Sequence, residues 1–240
     1  MTTVQRRMLL AAPALLPLAM AGTATAATTD LALICDLALG RALRTAGQAF
    51  RASHGVRLHV FPTAPGLIVP QLARQVQIDL VATQSGFLQQ AEQAGLLTAA
   101  PRAGIGSNAI VVAETSDAQG PTESGAVAVA ELAGASGMEG AAIAAGLGID
   151  KARIVSAIDT TEVAFLLTTG AARTGVLYLT DVRADPRLRV ISAIKDQPPA
   201  PCFSAVTKGA RRPDPAAFIA FLATPQARQV LASAGLEQPA

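Results

Sequence analysis

Few side chains in this 240-residue chain could support acid–base, nucleophilic or metal chemistry. The two histidines are His54, at a predicted helix end, and His59, between apolar residues of a predicted strand. Neither has metal-ligand neighbours in sequence, and the sequence contains no HExxH, CxxC, P-loop lysine or G-x-S-x-G motif. The sequence leaves a dispersed Ser/His/Asp triad open as an alternative, but it favours a protein that binds a ligand over an enzyme.

Two polar side chains stand where predicted strands end. Asp36 follows the strand Leu31–Cys35, and Tyr178, the one tyrosine, lies near the end of the strand Gly175–Leu179. Ligands of open α/β sheets bind at the carboxyl ends of strands, so we expect Asp36 and Tyr178 to face each other across a cleft. In the structural alternatives, Asp36 caps the helix that begins near Ala38, and Tyr178 is a core tyrosine with a satisfied hydroxyl.

The two cysteines, Cys35 and Cys202, each fall in a strand-like apolar run. In an oxidising compartment they could form a disulfide that ties the first strand to a late one. Cysteine is also among the residues most often buried as a free thiol. The sequence leaves both alternatives open.

The N-terminus predicts export. The first seven residues carry two arginines and no acid, an apolar run follows from Met8 to Met20, and Ala24-Thr25-Ala26 supplies small residues for cleavage. This pattern predicts a signal peptide over residues 1–26 and a location in the periplasm. The adjacent arginines leave twin-arginine export open beside the general route.

Composition favours helices packed on sheets. Apolar residues make up 51% of the chain but aromatic residues only 3%, with a net charge of +2 that is spread without basic blocks. An all-β sandwich is therefore disfavoured, and so is a nucleic-acid partner. After the signal peptide no apolar run reaches membrane-spanning length.

Short apolar strands alternate with helical patterns along the mature chain, which is typical of βαβ units. The alternation stops at a polar segment, Glu114–Ser124, and then starts again. This predicts an α/β fold of two Rossmann-like lobes with a ligand cleft between them. We place lobe 1 at residues 27–108 and 205–240 and lobe 2 at residues 109–204.

Several segments, in order and with near-ungapped spacing, resemble the molybdate-binding-protein branch of bacterial periplasmic solute-binding proteins. They are Leu31–Phe50, His54–Val56, Gln71–Thr83, Gly106–Ala113, Thr174–Asp181, Phe218–Ala227 and Ala234–Leu236. The resemblance covers essentially the whole mature chain. It implies a type II periplasmic binding fold and a monomeric protein that captures a small solute or oxyanion, without a cofactor and without catalysis, for the membrane permease of an ABC-type importer. A periplasmic sensor that signals to a membrane kinase is the alternative.

The same resemblance implies a set of ligand-binding positions. They are Ala38, Pro65 and Gln84 in the first lobe and Ser136, Thr160 and Tyr178 in the second, with Asp36 and Thr63 as further polar contacts. The family's two first-lobe serines fall on Ala38 and Pro65, and proline also lacks an N–H. With Asp36 beside them, we expect a pocket that binds a simple tetrahedral dianion poorly.

Overall fold

The computed structural model describes residues 30–74, 77–118, 125–130, 140–194, 197–212 and 214–238. The strands are β1 (Leu31–Asp36), β2 (Leu58–Thr63), β3 (Leu80–Gln84), β4 (Ala103–Asn108), β5 (Ile110–Thr115), β6 (Val127–Ala130), β7 (Ile154–Ala157), β8 (Thr174–Tyr178), β9 (Leu188–Ala193), β10 (Ala200–Val206) and β11 (Leu236–Glu237). The helices are α1 (Gly40–His54), α2 (Pro65–Ala73), α3 (Ser85–Gln93), α4 (Gly140–Gly146), α5 (Thr160–Thr168), α6 (Leu179–Ala184), α7 (Pro215–Leu222) and α8 (Pro225–Ser233). Short 3₁₀ helices cover Leu37–Leu39 and Lys151–Arg153.

The first lobe is built on a sheet with strand order β11-β4-β10-β3-β1-β2. Strands β2, β1 and β3 run parallel, and β10 pairs antiparallel with both β3 and β4. Every residue of β1 is buried, because its alternate side chains enter two different cores. One core is closed by α1, α7 and α8, and the other by α2 and α3. A parallel strand covered on both faces reads as a continuous apolar run, as this one does.

The second lobe is built on a sheet with strand order β7-β6-β8-β5-β9. Strands β7, β6 and β8 are parallel, and β5 joins β8 antiparallel. Helices α5 and α6 pack on one face, whereas α4 packs on the other. The two sheets with their helices confirm the predicted two-lobed α/β fold class.

The chain crosses between the sheets twice. It leaves the first sheet where β4 ends at Asn108 and β5 begins at Ile110, and it returns with β10 at Ala200. The return therefore comes before residue 205, the boundary expected from the sequence, because the whole of β10 pairs with β3 and β4. In the part of the chain that the structure describes, no helix is long and apolar enough to cross a membrane. The predicted signal peptide, residues 1–26, lies outside the described residues.

Candidate functional site

A narrow cleft lies between the two lobes at the ends of their strands. Its walls are Asp36, Leu37, Ala38, Pro65 and Gln84 from the first lobe and Asp159 and Thr160 from the second. The cavity measures about 10 Å³, which leaves room for about one water molecule. A wider cavity of about 300 Å³ near Lys208 lies at the opposite end of β10, away from these strand ends. The lobes are thus closed on each other at the cleft.

Strand ends and helix starts place the cleft residues. Asp36 is the last residue of β1, and Gln84 ends β3 directly before α3. Thr160 is the first residue of α5, and Tyr178 ends β8. Because β1 and β3 are parallel neighbours in the sheet, Asp36 and Gln84 emerge side by side at the same edge.

Asp36 is held inside the first lobe by its neighbour strand. The Thr83 hydroxyl donates a hydrogen bond to its Oδ1 at 2.6 Å, and the Gln84 main-chain N–H donates to Oδ2 at 3.2 Å. The side chain makes no capping hydrogen bond to the following 3₁₀ helix, so the capping alternative does not describe its contacts. Burial raises the pKa of Asp36 to about 7, against the lowering effect of its two hydrogen bonds.

Tyr178 is the second lobe's contribution to a contact across the cleft. The Gln84 side-chain amide donates to its Oη at 2.9 Å, and the tyrosine is only 1% exposed. Its main-chain N–H donates to Asp181 at 3.2 Å. Burial is the main cause of two further shifts. It raises the pKa of the Tyr178 hydroxyl, and it raises the pKa of Asp181 to about 6. Gln84 therefore links Asp36 and Tyr178, the two residues that we expected to face each other.

The other expected positions divide into three groups. Ala38, Pro65 and Thr160 line the cleft. Thr63 is level with Asp36 in the sheet, but its hydroxyl accepts from the Gln71 amide at 3.2 Å and it is not among the lining residues. Ser136 lies outside the described residues.

The sequence-based expectation missed Asp159, which lines the cleft beside Thr160. Its carboxylate accepts the Glu162 main-chain N–H at 2.9 Å, and Glu162 in turn accepts the Ile158 main-chain N–H at 2.6 Å. An acid followed three residues later by Glu, directly after a strand, is a capping-box pattern that could have identified this residue. It adds a second carboxylate to the walls of the cleft.

Both histidines lie away from the cleft. His54 stacks on Phe50 with ring centroids 4.4 Å apart, and His59 contacts Asp30 at 2.9 Å. Among the residues that the structure describes, no cluster of three or more His, Cys, Asp or Glu side chains could hold a metal ion.

The structure leaves Cys35 and Cys202 as buried free thiols. Cys35 lies on β1 and Cys202 on β10, and β3 runs between these strands. Two strand spacings amount to roughly 10 Å, whereas a disulfide needs Cα atoms within about 7 Å. The intervening strand is thus the physical reason why the disulfide alternative is not formed.

We expect thiol titration of the unfolded, unreduced protein to find both of its 2 cysteines free. In the native protein both should react slowly, because Cys35 and Cys202 are 0% and 1% exposed and burial raises the pKa of each thiol, which leaves little thiolate. An unfolded sample that shows no reactive thiol until a reductant is added would contradict this expectation.

Two α/β lobes, joined by two crossings and closed over a polar cleft at their strand ends, define a solute-binding protein of the two-lobed class. The chain belongs to the bacterial extracellular solute-binding protein family, whose model matches residues 31–237. This match confirms the resemblance predicted from the sequence. No curated protein sequence shows detectable similarity to the chain.

Solved structures share this fold at low sequence identity. The periplasmic molybdate-binding protein of Azotobacter vinelandii aligns with a TM-score of 0.73 and 14% identity, over 88% of this chain and 100% of that one. The sulfate-binding protein SubI of Mycobacterium tuberculosis aligns with a TM-score of 0.67 and 16% identity, over 87% and 86%. Iron-bound HitA of Pseudomonas aeruginosa aligns with a TM-score of 0.60 and 16% identity, over 85% and 84%. These similarities support the type II periplasmic binding fold.

Proposed function

We propose that this chain captures a small solute in the periplasm and delivers it to the membrane permease of an ABC-type importer. The observation that carries the proposal is the cleft itself, where Gln84 of one lobe bonds Tyr178 of the other at the strand ends. Family membership and the predicted signal peptide support the location and the role. The protein acts as a monomer and binds its solute without a cofactor and without chemical conversion.

The walls of the cleft favour a solute other than the oxyanions named for two of its structural neighbours. Ala38 and Pro65 offer no side-chain donor, and the described lining contains Asp36 and Asp159 but no lysine or arginine. A bound dianion needs charge-assisted hydrogen bonds from donors or cations. We therefore propose an altered pocket, in which the oxyanion specificity named for the molybdate and sulfate neighbours is not retained.

The solute can be identified by native mass spectrometry of protein purified from its own periplasm. Cells that lack the gene should then lose high-affinity uptake of that solute, and cells that express the intact chain should recover it. Unchanged uptake in the deletion strain would contradict the transport role and favour the sensor alternative, which uses the same cleft.

Once the solute is known, it should stabilise the protein by about 2.7 kcal/mol at a hundredfold excess over its Kd. For a chain of this size that is a rise of roughly 5 to 10 °C in Tm. We expect Tyr178→Phe and Asp36→Asn each to reduce this rise, because both residues belong to the hydrogen-bonded chain across the cleft. Differential scanning calorimetry measures the effect.

His54→Gln is the matched control, since His54 stacks on Phe50 away from the cleft and should leave the shift intact. If both cleft variants bind normally, or if they only lower the Tm of the solute-free protein, Tyr178 and Asp36 are structural.

A further inference from the structure

The Gln84 side chain lines the cleft and reaches across it to the second lobe. It projects from the end of β3 between the two lobes, and its amide reaches Tyr178 Oη at 2.9 Å. Its main chain is fixed at the same time, because its N–H donates to Asp36, which also accepts from Thr83. With this side chain in place the cavity measures about 10 Å³. A solute larger than water therefore fits the closed cleft only if residues of its walls, Gln84 among them, move apart.

The contact also favours closure of the empty protein. Tyr178 is buried, and its Oη would have to find water if the lobes parted. A neutral hydrogen bond contributes a modest net stabilisation, enough to change the ratio of closed to open molecules by about two- to tenfold. A solute that binds the closed form must replace this hydrogen bond and must stabilise the closed form by more free energy than the bond did.

We propose that Gln84 is a built-in occupant of the cleft, and that the cleft selects uncharged or cationic polar solutes able to replace its carboxamide against Tyr178. The inference rests on the proposed function, because it concerns the solute of the same cleft. A carboxamide is neutral and polar at both ends, and Gln84 lines the cleft together with Asp36, Asp159 and Thr160. A solute that takes the place of the carboxamide lies near the same two carboxylates, which disfavours a negatively charged solute.

The closing role of Gln84 can be measured without any solute. Spin labels on Gln89→Cys in the first lobe and Lys151→Cys in the second report the separation of the lobes, because both positions are exposed while Cys35 and Cys202 are buried. The solute-free protein should show a dominant closed population. Gln84→Ala and Tyr178→Phe should each shift that ratio toward open by about two- to tenfold, and the double variant should shift it no further.

Gln90→Ala is the matched control, because it removes an exposed glutamine from α3 and should leave the distances unchanged. A solute-free wild type with the same distribution as Gln84→Ala would overturn the role of Gln84 in closure. Additive effects of the two cleft substitutions would overturn the direct contact between them.

The selectivity can be tested with acetamide, which corresponds to the part of Gln84 that the alanine variant lacks. Acetamide at high concentration should restore the closed population of Gln84→Ala but not of Gln84→Ala combined with Tyr178→Phe, and sulfate should restore neither. Restoration by sulfate, or equal restoration in both variants, would overturn the solute class. These measurements need no permease, so a failed uptake experiment would count against the transport role alone.

Discussion

Replacing Asp79 with alanine should lower the free energy of unfolding by about 1 to 3 kcal/mol, the usual cost of leaving a buried hydrogen-bond donor without its partner. Asp79 is 1% exposed and accepts from the Arg212 guanidinium and from the Ala32 main-chain N–H, each at 2.8 Å. It also accepts the main-chain N–H groups of Arg211 and Arg212 at 3.2 and 3.4 Å. Alanine would leave the buried Ala32 N–H without an acceptor, whereas the partly exposed donors of Arg211 and Arg212 could turn to water. Equilibrium denaturation with urea measures the loss.

Asp185→Ala provides the comparison, because Asp185 pairs with Arg187 at 2.6 Å on the surface. Exposed ion pairs contribute about 0 to 1 kcal/mol, so this variant should remain near the wild-type midpoint. Equal losses in the two variants would show that the burial of Asp79 and its four donors do not set its contribution.

The sequence predicts a strand or helix well where the residues of that element carry a local signal of their own. The apolar run Val127–Ala130 predicts a strand and the amphipathic segment Pro225–Ser233 predicts a helix, and both elements have these bounds in the structure. Strand β1 was one residue short in the prediction, because its last residue is the polar Asp36. Such segments carry a local signal, either a continuous apolar run or a proline at the first helical turn.

Strands that form only because distant strands pair with them were not predicted. Strand β4 has the sequence AGIGSN, whose glycines and polar residues disfavour a strand. It forms because β10 and β11 supply pairing partners on its two sides. Strand β9 lies at the edge of its sheet and is mostly exposed, so it lacks the apolar run that marks a buried strand.

The cleft also combines features that local sequence predicts with features that depend on distant contacts. That Asp36 and Tyr178 stand at strand ends follows from local patterns, and strand ends meet ligands in this architecture. The contact that joins the lobes does not follow from local patterns, because Gln84 and Tyr178 are 94 residues apart and meet only after both lobes have folded and closed. The buried state of Asp36, on which its raised pKa depends, likewise becomes visible only in three dimensions.

Tetrahedral dianions should bind this protein poorly. The resemblance places Ala38 and Pro65 at two family serine positions, so we expect two hydroxyl donors to be missing. Each lost charge-assisted hydrogen bond costs on the order of 1.5 to 3 kcal/mol. Two losses weaken binding by about a hundredfold or more. Titration calorimetry with molybdate, tungstate and sulfate at pH 8 should detect little heat. Submicromolar binding of any of the three would restore the oxyanion specificity and overturn the altered pocket.

The binding that remains should strengthen as the pH falls. The pKa of Asp36 is raised from 3.8 to about 7, so its carboxylate is charged at pH 8 and mostly protonated at pH 6. Because the charged form repels a dianion and the protonated form does not, sulfate affinity should rise by up to about tenfold in total between pH 8 and pH 6. Asp36→Asn should bind sulfate more tightly than wild type at pH 8 and lose most of this pH dependence. The asparagine fits the site, since its oxygen can accept the Gln84 N–H while its amide donates to the Thr83 hydroxyl. If Asp36→Asn keeps the wild-type pH profile, another group governs the repulsion, and Asp181, whose pKa burial raises to about 6 and which bonds the cleft residue Thr160, is the first to be replaced.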